Sequence, residues 1–414
     1  MAAMTQQPGV TPPAMAALKA LLLLWLAGVA LRLTILAVPP VIPLIHGDLH
    51  LSETQIGILS GLPMVLFAGA AIAGSLLIAR LGPLTTLVTG LLICAAGSAL
   101  RGVGPSLAML YAGTIATAFG VAVMQPSLPP LVRAWVPHRI GFATAVYTNG
   151  LIVGEILPVA LTAPLVLPLV DRSWQWNFVA WGVPVVAIAA LVFALAPRTP
   201  PPATGAGSAR RWWPDFRNSL IWRIGFLLGG VNSMYFALNG FLPDYLTHMG
   251  RSDLIPGALS ALNIGQLPAS FLLLLSADRL VRTVWSYVVC GLVSFACVLA
   301  IVFGGGIGVI VGSGVLGCFA AAILVLVLAL PPLISPPEDV HRVTAGMFAI
   351  SYSCAVIVPI VSGGLWDLTG RPEIAFVPIG LCALVVVGLA PTVVLRDKSS
   401  HPVITGPPRG GESR

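Results

Sequence analysis

Apolar residues fill this chain in long blocks, and the polar breaks between them are short. Twelve blocks can be marked, at about residues 17–45, 54–78, 84–100, 105–132, 140–169, 174–196, 219–247, 254–276, 283–303, 306–333, 343–366 and 374–395. At about 1.5 Å of rise per residue, such blocks suffice to cross the roughly 30 Å hydrocarbon core of a bilayer as helices. Lipid offers backbone groups no partner, so apolar runs this long predict helices that satisfy their own hydrogen bonds. Only residues 197–218, PRTPPPATGAGSARRWWPDFRN, interrupt the pattern for long. Pro, Gly, Ala and Arg dominate there, which predicts a flexible, solvated linker that divides the blocks six and six. The expected fold is therefore an all-α membrane protein of twelve transmembrane helices in two six-helix bundles. The expected domains are residues 1–196, the linker 197–218, residues 219–396 and a tail, 397–414.

Composition supports the same class. The chain is 57% hydrophobic and 8% charged, against about 25% charge in soluble domains. The formal charge of +7 is spread over short loops with no basic, aromatic-interleaved patch, so nucleic acid is not an expected partner and the bilayer is. Placing the N-terminus in the cytoplasm puts sixteen Lys and Arg inside and four (Arg101, Arg172, Arg251 and Arg371) in outside loops. That bias predicts two cytoplasmic termini. Lys19 followed by LLLLWLAGVA has the look of a signal peptide, but the apolar run continues to Ile45 and reads as an uncleaved first span. The six cysteines, Cys94, Cys290, Cys297, Cys318, Cys354 and Cys382, lie inside apolar runs without metal-ligand spacing and read as small core residues.

The halves repeat each other. LSETQIGILSGLP at 51–63 aligns with RSDLIPGALSALN at 251–263, pairing Ser52 with Ser252, Gly57 with Gly257, Ser60 with Ser260 and Glu53 with Asp253. Pro43 and Pro243 keep the same offset. A repeat displaced by six spans preserves its membrane orientation, which predicts parallel halves related by an axis along the membrane normal.

No enzyme constellation is present. Neither lysine, Lys19 or Lys398, sits in a phosphate-binding loop, and H-E-x-x-H is absent. His46 and His50 are four apart but lack a strong third ligand, and Asp367-Leu368-Thr369-Gly370 reads as a helix end and turn. No cofactor or metal is expected.

Polar residues within the spans are more informative. Arg32 lies inside the first block with uncharged residues on both sides, and a guanidinium at mid-depth costs about 2.5–3.5 kcal/mol on insertion scales. Such a residue is expected to face a protein interior or a water-filled cavity and to have a partner. Glu155, in YTNGLIVGEILP, is the one carboxylate at comparable depth. At the repeat offset Arg32 corresponds to Asn232, and the second half offers only neutral groups: Asn232, Ser233, Tyr235, Asn239, Asn263, Gln266, Ser351 and Tyr352. Tyr111 and Gln125 in span 4 and Asn149 in span 5 add further polar candidates. One fixed cation among neutral donors suits a small planar anion or a weak acid better than a dication or a sugar.

Twelve spans, a parallel 6+6 repeat and a cytoplasmic linker resemble the major facilitator superfamily. Its loop motif between spans 2 and 3, about G-x-L-A-D-R-x-G-R-R, is degraded in the first copy, where Ala79 replaces the acid, and better kept in Ala277-Asp278-Arg279-Leu280-Val281-Arg282. LRLTILAVPPVIPLIHGDLHLSETQIGILSGLPMVLFA, LPPLVRAWVPHRIGFATAVYTNGL and NSMYFALNGFLPDYLTHMGRSDLIPGALSALNIGQLP are similar to cyanate permeases and 2-nitroimidazole transporters. The resemblance implies a monomeric bacterial inner-membrane carrier that moves a small anion, weak acid or nitroaromatic by rocking its halves. It implies a cavity lined by spans 1, 4, 7 and 10, seams made by spans 2, 5, 8 and 11, and a meeting of Arg32 with Glu155. Two readings of that meeting compete: a static ion pair that merely offsets burial, or a pair with which substrate and proton exchange, an anion competing for Arg32 while Glu155 takes up a proton. By analogy, Asp278, Arg279 and Arg282 would latch the cytoplasmic side near Arg139, with no matching latch in the first half. The competing readings are a broad exporter of lipophilic compounds and a membrane receptor that moves nothing.

Overall fold

The computed structural model describes residues 14–104, 106–197 and 212–394. Most of the expected linker and the whole tail 397–414 lie outside the described residues. So do seven of the cations in the orientation count: Arg198, Arg210, Arg211, Arg396, Lys398, Arg409 and Arg414.

Among the described residues, twelve helices are long and apolar enough to cross a membrane. Spans 1 to 6 are Met15–Leu33, Gly61–Leu81, Pro83–Arg101, Leu107–Trp135, Ile140–Leu169 and Trp174–Leu195. Spans 7 to 12 are Ser219–His248, Ser252–Leu280, Val284–Phe303, Gly306–Ile334, Val340–Thr369 and Pro372–Val393. The described residues contain no strand.

Span 1 departs from expectation. It stops at Leu33, where the apolar block continues to residue 45, and gives way to turns, a 3-10 turn at Pro39–Val41 and a short helix, Ile42–Leu49. Pro39, Pro40 and Pro43 remove three backbone donors, and each disfavours α geometry in the residue before it. The carbonyl of Arg32 instead accepts from the N–H groups of Ile35 and Leu36 at 3.1 and 2.9 Å. Arg32 thus ends a helix rather than sitting in the middle of one.

The packing has a twofold pattern. In the first half, span 1 packs on 5 and 6, span 4 on 2 and 3, and span 3 on 6. Adding six to each number gives the packing of the second half: 7 on 11 and 12, 10 on 8 and 9, and 9 on 12. The bundles meet along two seams, span 5 against 8 and span 2 against 11, which exchange under the same operation.

Between the bundles lies a cavity of about 870 Å³. Its walls come from the ends of spans 1, 5 and 7 and the beginnings of spans 2 and 8, with Arg101 at the end of span 3 and Thr114 of span 4, so it lies toward the face opposite residue 15. On the face that carries residue 15 the bundles are tied together. Arg139 Nε lies 3.7 Å from Asp278 Oδ2, and Asp278 Oδ1 accepts from the N–H of Phe142 at 3.1 Å. Arg133 donates to the carbonyl of Ser335. At the other seam, Ser75 Oγ donates to the Trp212 carbonyl at 2.6 Å, and Arg342 Nε donates to the Trp213 carbonyl at 3.0 Å. Backbone from the end of the linker therefore occupies the seam where Ala79 stands in place of an acid.

Candidate functional site

The site starts with glycines. A Cβ on Gly28 would stand 2.0 Å from the Tyr147 carbonyl oxygen, and on Gly150 and Gly154 it would stand 2.2 Å from those of Trp25 and Val29. Only hydrogen atoms fit there, so spans 1 and 5 approach backbone to backbone, as small residues allow in membrane helices. Glu155 follows the last of these glycines, and Arg32 lies three residues beyond Val29. The result is an ion pair within one bundle, with Arg32 Nε 3.2 Å from Glu155 Oε1 and side-chain exposures of 8% and 15%.

Breaks in the helices set the other groups. Gln125 opens a 3-10 turn, Gln125–Ser127, inside span 4, where Pro126, Pro129 and Pro130 withhold donors. Span 8 is interrupted at Gly265, whose Cβ would stand 2.3 Å from the Gly314 carbonyl oxygen of span 10, and Gln266 follows directly. Arg32, Gln125 and Gln266 therefore all sit at or beside interruptions of their helices, where the backbone turns and side chains are aimed along the cavity.

A narrow inner pocket of about 30 Å³ is lined by Arg32, Gln125, Glu155, Asn232, Tyr235, Gln266 and Tyr352 together with apolar residues. Such a volume holds about two waters. Tyr352 crosses from span 11 to the first bundle: its hydroxyl is 3.0 Å from Gln125 Nε2, which donates to it, and 3.4 Å from Arg32 Nη2. Phe67 lies 5.1 Å from the Tyr352 ring, and the Arg32 guanidinium carbon is 5.6 Å from its centroid. Aromatic faces thus cover the cation where carboxylate does not. Asn232 donates to Ser351 Oγ at 2.8 Å. In the wider cavity, Tyr235 donates to Asn263 Oδ1 at 2.6 Å, Asn263 Nδ2 to Asn239 Oδ1 at 3.1 Å, and Gln266 Nε2 to the Tyr235 hydroxyl at 3.3 Å.

Of the residues singled out from sequence, Arg32, Gln125, Glu155, Asn232, Tyr235, Asn239, Asn263, Gln266 and Tyr352 line these connected spaces. Tyr111 and Asn149 do not. The Tyr111 hydroxyl donates to the Gln55 carbonyl at 3.0 Å. Asn149 is buried at the seam, accepting from Trp25 Nε1 at 2.9 Å and donating to Ser270 Oγ at 3.0 Å. At the closed face Arg282 shares a cleft with Asp278 and His138, while Arg279 is exposed.

Sequence reasoning missed one charged residue. Arg101, counted above as an outside-loop cation, is the last residue of span 3 and is fully buried. Its Nη1 donates to the Thr34 carbonyl at 2.8 Å, and its guanidinium lies 5.3 Å from the Phe178 ring. Arg101 falls one residue past the apolar block, where counting loops cannot distinguish a side chain that turns back into the bundle. The aromatic cover of Phe67 was missed as well, since one Phe in an apolar span carries no distinguishing pattern.

A twelve-helix, two-bundle protein with a polar pocket at the inner end of a one-sided cavity belongs to the class of membrane carriers. The sequence profile of the Major Facilitator Superfamily matches residues 24–311, and the chain belongs to that family. It is 26% identical to the cyanate transport protein CynX of Escherichia coli (strain K12) over 382 residues, covering 89% of this chain and 94% of that one. It is 27% identical to the 2-nitroimidazole transporter of the same organism over 234 residues, 56% of this chain and 58% of that one. Among solved structures it resembles the transporter FucP in its outward conformation, with a TM-score of 0.68 at 17% identity over 91% of this chain and 99% of that one. It is a transporter and not an enzyme.

Proposed function

We propose that this chain is a secondary active transporter that carries a small anion, weak acid or nitroaromatic-type solute across a bacterial inner membrane, coupled to protons through Glu155. The observation that carries this reading is the Arg32–Glu155 pair at the inner end of a cavity lying toward one face. The relatives named for cyanate and 2-nitroimidazole supply the substrate class. In this reading both termini are cytoplasmic, the protein acts as a monomer, residues 1–196 and 219–396 rock as two bodies about the site, and the state described is outward-open. Asp278 and Arg139 tie the cytoplasmic side, with Arg282 in the same cleft.

The coupling follows from charge balance. Breaking a buried ion pair leaves an uncompensated charge, at about 3–5 kcal/mol. An anion that takes the Arg32 guanidinium from Glu155 therefore binds cheaply only when Glu155 accepts a proton at the same time. Anion and proton favour each other by linkage. The occupied site then has the same net charge as the empty one, and it crosses between the bundles without added charge. Asn232, Tyr235, Gln266, Gln125 and Tyr352 supply neutral hydrogen bonds that orient the bound solute.

Proteoliposomes loaded with cyanate, nitrate, thiocyanate or 2-nitroimidazole test this reading by counterflow of labelled cyanate. Exchange with one or more of the loaded solutes, accelerated by an inward proton gradient in net uptake, supports it. No exchange with any of them removes it. The apolar stretches of wall, Leu59, Met64, Ile156 and Phe236, favour a second reading, export of lipophilic compounds. That reading predicts transport of neutral compounds with little dependence on Arg32.

A further inference from the structure

The large cavity holds a second guanidinium that the mechanism above does not use. Besides Arg32, its lining includes Arg101. Arg101 is fully buried, yet only one of its donor atoms is engaged: Nη1 meets the Thr34 carbonyl, while Nε and Nη2 have no partner. Capping the carbonyl freed where span 1 breaks explains one of its five N–H groups. It does not explain a cation, which an amide or hydroxyl could replace in that contact. Phe178 covers part of the guanidinium and leaves its remaining donors free.

The charges of the cavity do not balance. Arg32 and Arg101 face one carboxylate, Glu155, which Arg32 already holds at 3.2 Å. An arginine keeps its proton in proteins, so the lining carries one positive charge more than it neutralises. Burying an unpaired charge is expensive unless something completes it. Arg101 lines the wide cavity and not the narrow inner pocket, so it stands outside the pocket that Arg32 and Tyr352 share.

We infer that Arg101 forms a second anion subsite, in which a turn of the side chain brings its unpartnered Nε and Nη2 donors, buried in the state described, to a small monovalent anion in the wide cavity before that anion passes to Arg32. This deepens the anion-transport reading and rests on it. Thr34 couples the two subsites, because the backbone that positions Arg101 lies two residues beyond Arg32. The outer subsite offers charge-assisted donors without a competing carboxylate. It therefore captures the anion whatever the protonation of Glu155, and only the transfer to Arg32 requires the proton.

Titration calorimetry of purified protein with sodium cyanate tests the inference, using wild type, Arg101→Gln, Arg101→Lys and Arg32→Gln. Loss of a charge-assisted contact predicts a Kd raised about tenfold to a hundredfold for Arg101→Gln. Arg101→Lys keeps the charge and should recover most of that loss. Neutral 1-methyl-2-nitroimidazole, which has no acidic N–H, should bind the wild type and Arg101→Gln within about twofold of each other, which a collapsed cavity would not permit. Unchanged cyanate affinity in Arg101→Gln, or an affinity lost in Arg101→Gln that Arg101→Lys does not recover at all, overturns the subsite while leaving the Arg32 account standing. A wild type that binds neither cyanate, thiocyanate nor nitrate overturns both.

Discussion

At position 32 the first bundle carries Arg32, and at the matching position of the second bundle stands Asn232; both line the inner pocket. The same offset pairs Glu155 with Ala355, Tyr352 with Ile152, Gln125 with Val325 and Gln266 with Leu66. The helix pairings of the two halves are interchangeable, yet their contributions to the pocket are not. One bundle supplies every charge, and the other supplies amides and hydroxyls. This arrangement keeps the ion pair inside a single body. Around the pocket the bundles are joined by hydrogen bonds of the Tyr352 hydroxyl with Gln125 and Arg32, worth about 0.5–3 kcal/mol net each. A buried salt bridge across the bundles at that depth would cost about 3–5 kcal/mol to break, whereas the Arg139–Asp278 pair that does join them lies at the half-exposed closed face.

Moving the charge tests that comparison hardest. Arg32→Gln should lower cyanate counterflow by roughly a hundredfold or more, since the variant loses the anion's partner and strands Glu155. The exchange Arg32→Asn with Asn232→Arg should not restore transport, because Ala355 offers no carboxylate beside the transplanted cation. Recovery in the exchanged protein would show that the halves are chemically equivalent after all. Gly154→Val attacks the close approach that makes the pair. Its side chain collides with the Val29 carbonyl, and the expected loss is about 1–3 kcal/mol, read as a lowered Tm. A smaller effect is expected from Tyr352→Phe, which removes one neutral hydroxyl and should raise the anion's Kd about fivefold. The smallest belongs to the closed face. Asp278→Asn removes a half-exposed pair worth up to about 1 kcal/mol, and should raise the labelling of residues at that face only a few-fold.

The helices and their number were legible because lipid imposes a length and a hydropathy on every span, and here the apolar blocks are separated by recognisable turns. The repeat was legible from Ser52 and Ser252, which both stand at the start of a helical segment: Ser52 caps its helix through Gln55, and Ser252 opens a 3-10 turn. The break after Arg32 was not read, although three prolines announced it, because hydropathy ignores backbone donors. Arg32 and Glu155 stood out because a charge in an apolar run is costly wherever it points. Tyr111 and Asn149 were equally polar but are spent on a backbone carbonyl and on a seam, which depends on rotation about the helix axis and leaves no mark in the sequence. Arg101 failed for the opposite reason: it lies at the edge of a block, where a loop residue and a buried one look alike.

The linkage between anion and proton at Arg32 and Glu155 is the central claim, and the pH dependence of cyanate affinity tests it most directly. Glu155→Gln imitates the protonated carboxyl, so its affinity for cyanate should exceed that of the wild type and stay constant with pH, while the wild type binds more tightly as pH falls. The variant should also keep counterflow and lose accumulation driven by a pH gradient. Equal pH dependence in wild type and Glu155→Gln would contradict the account.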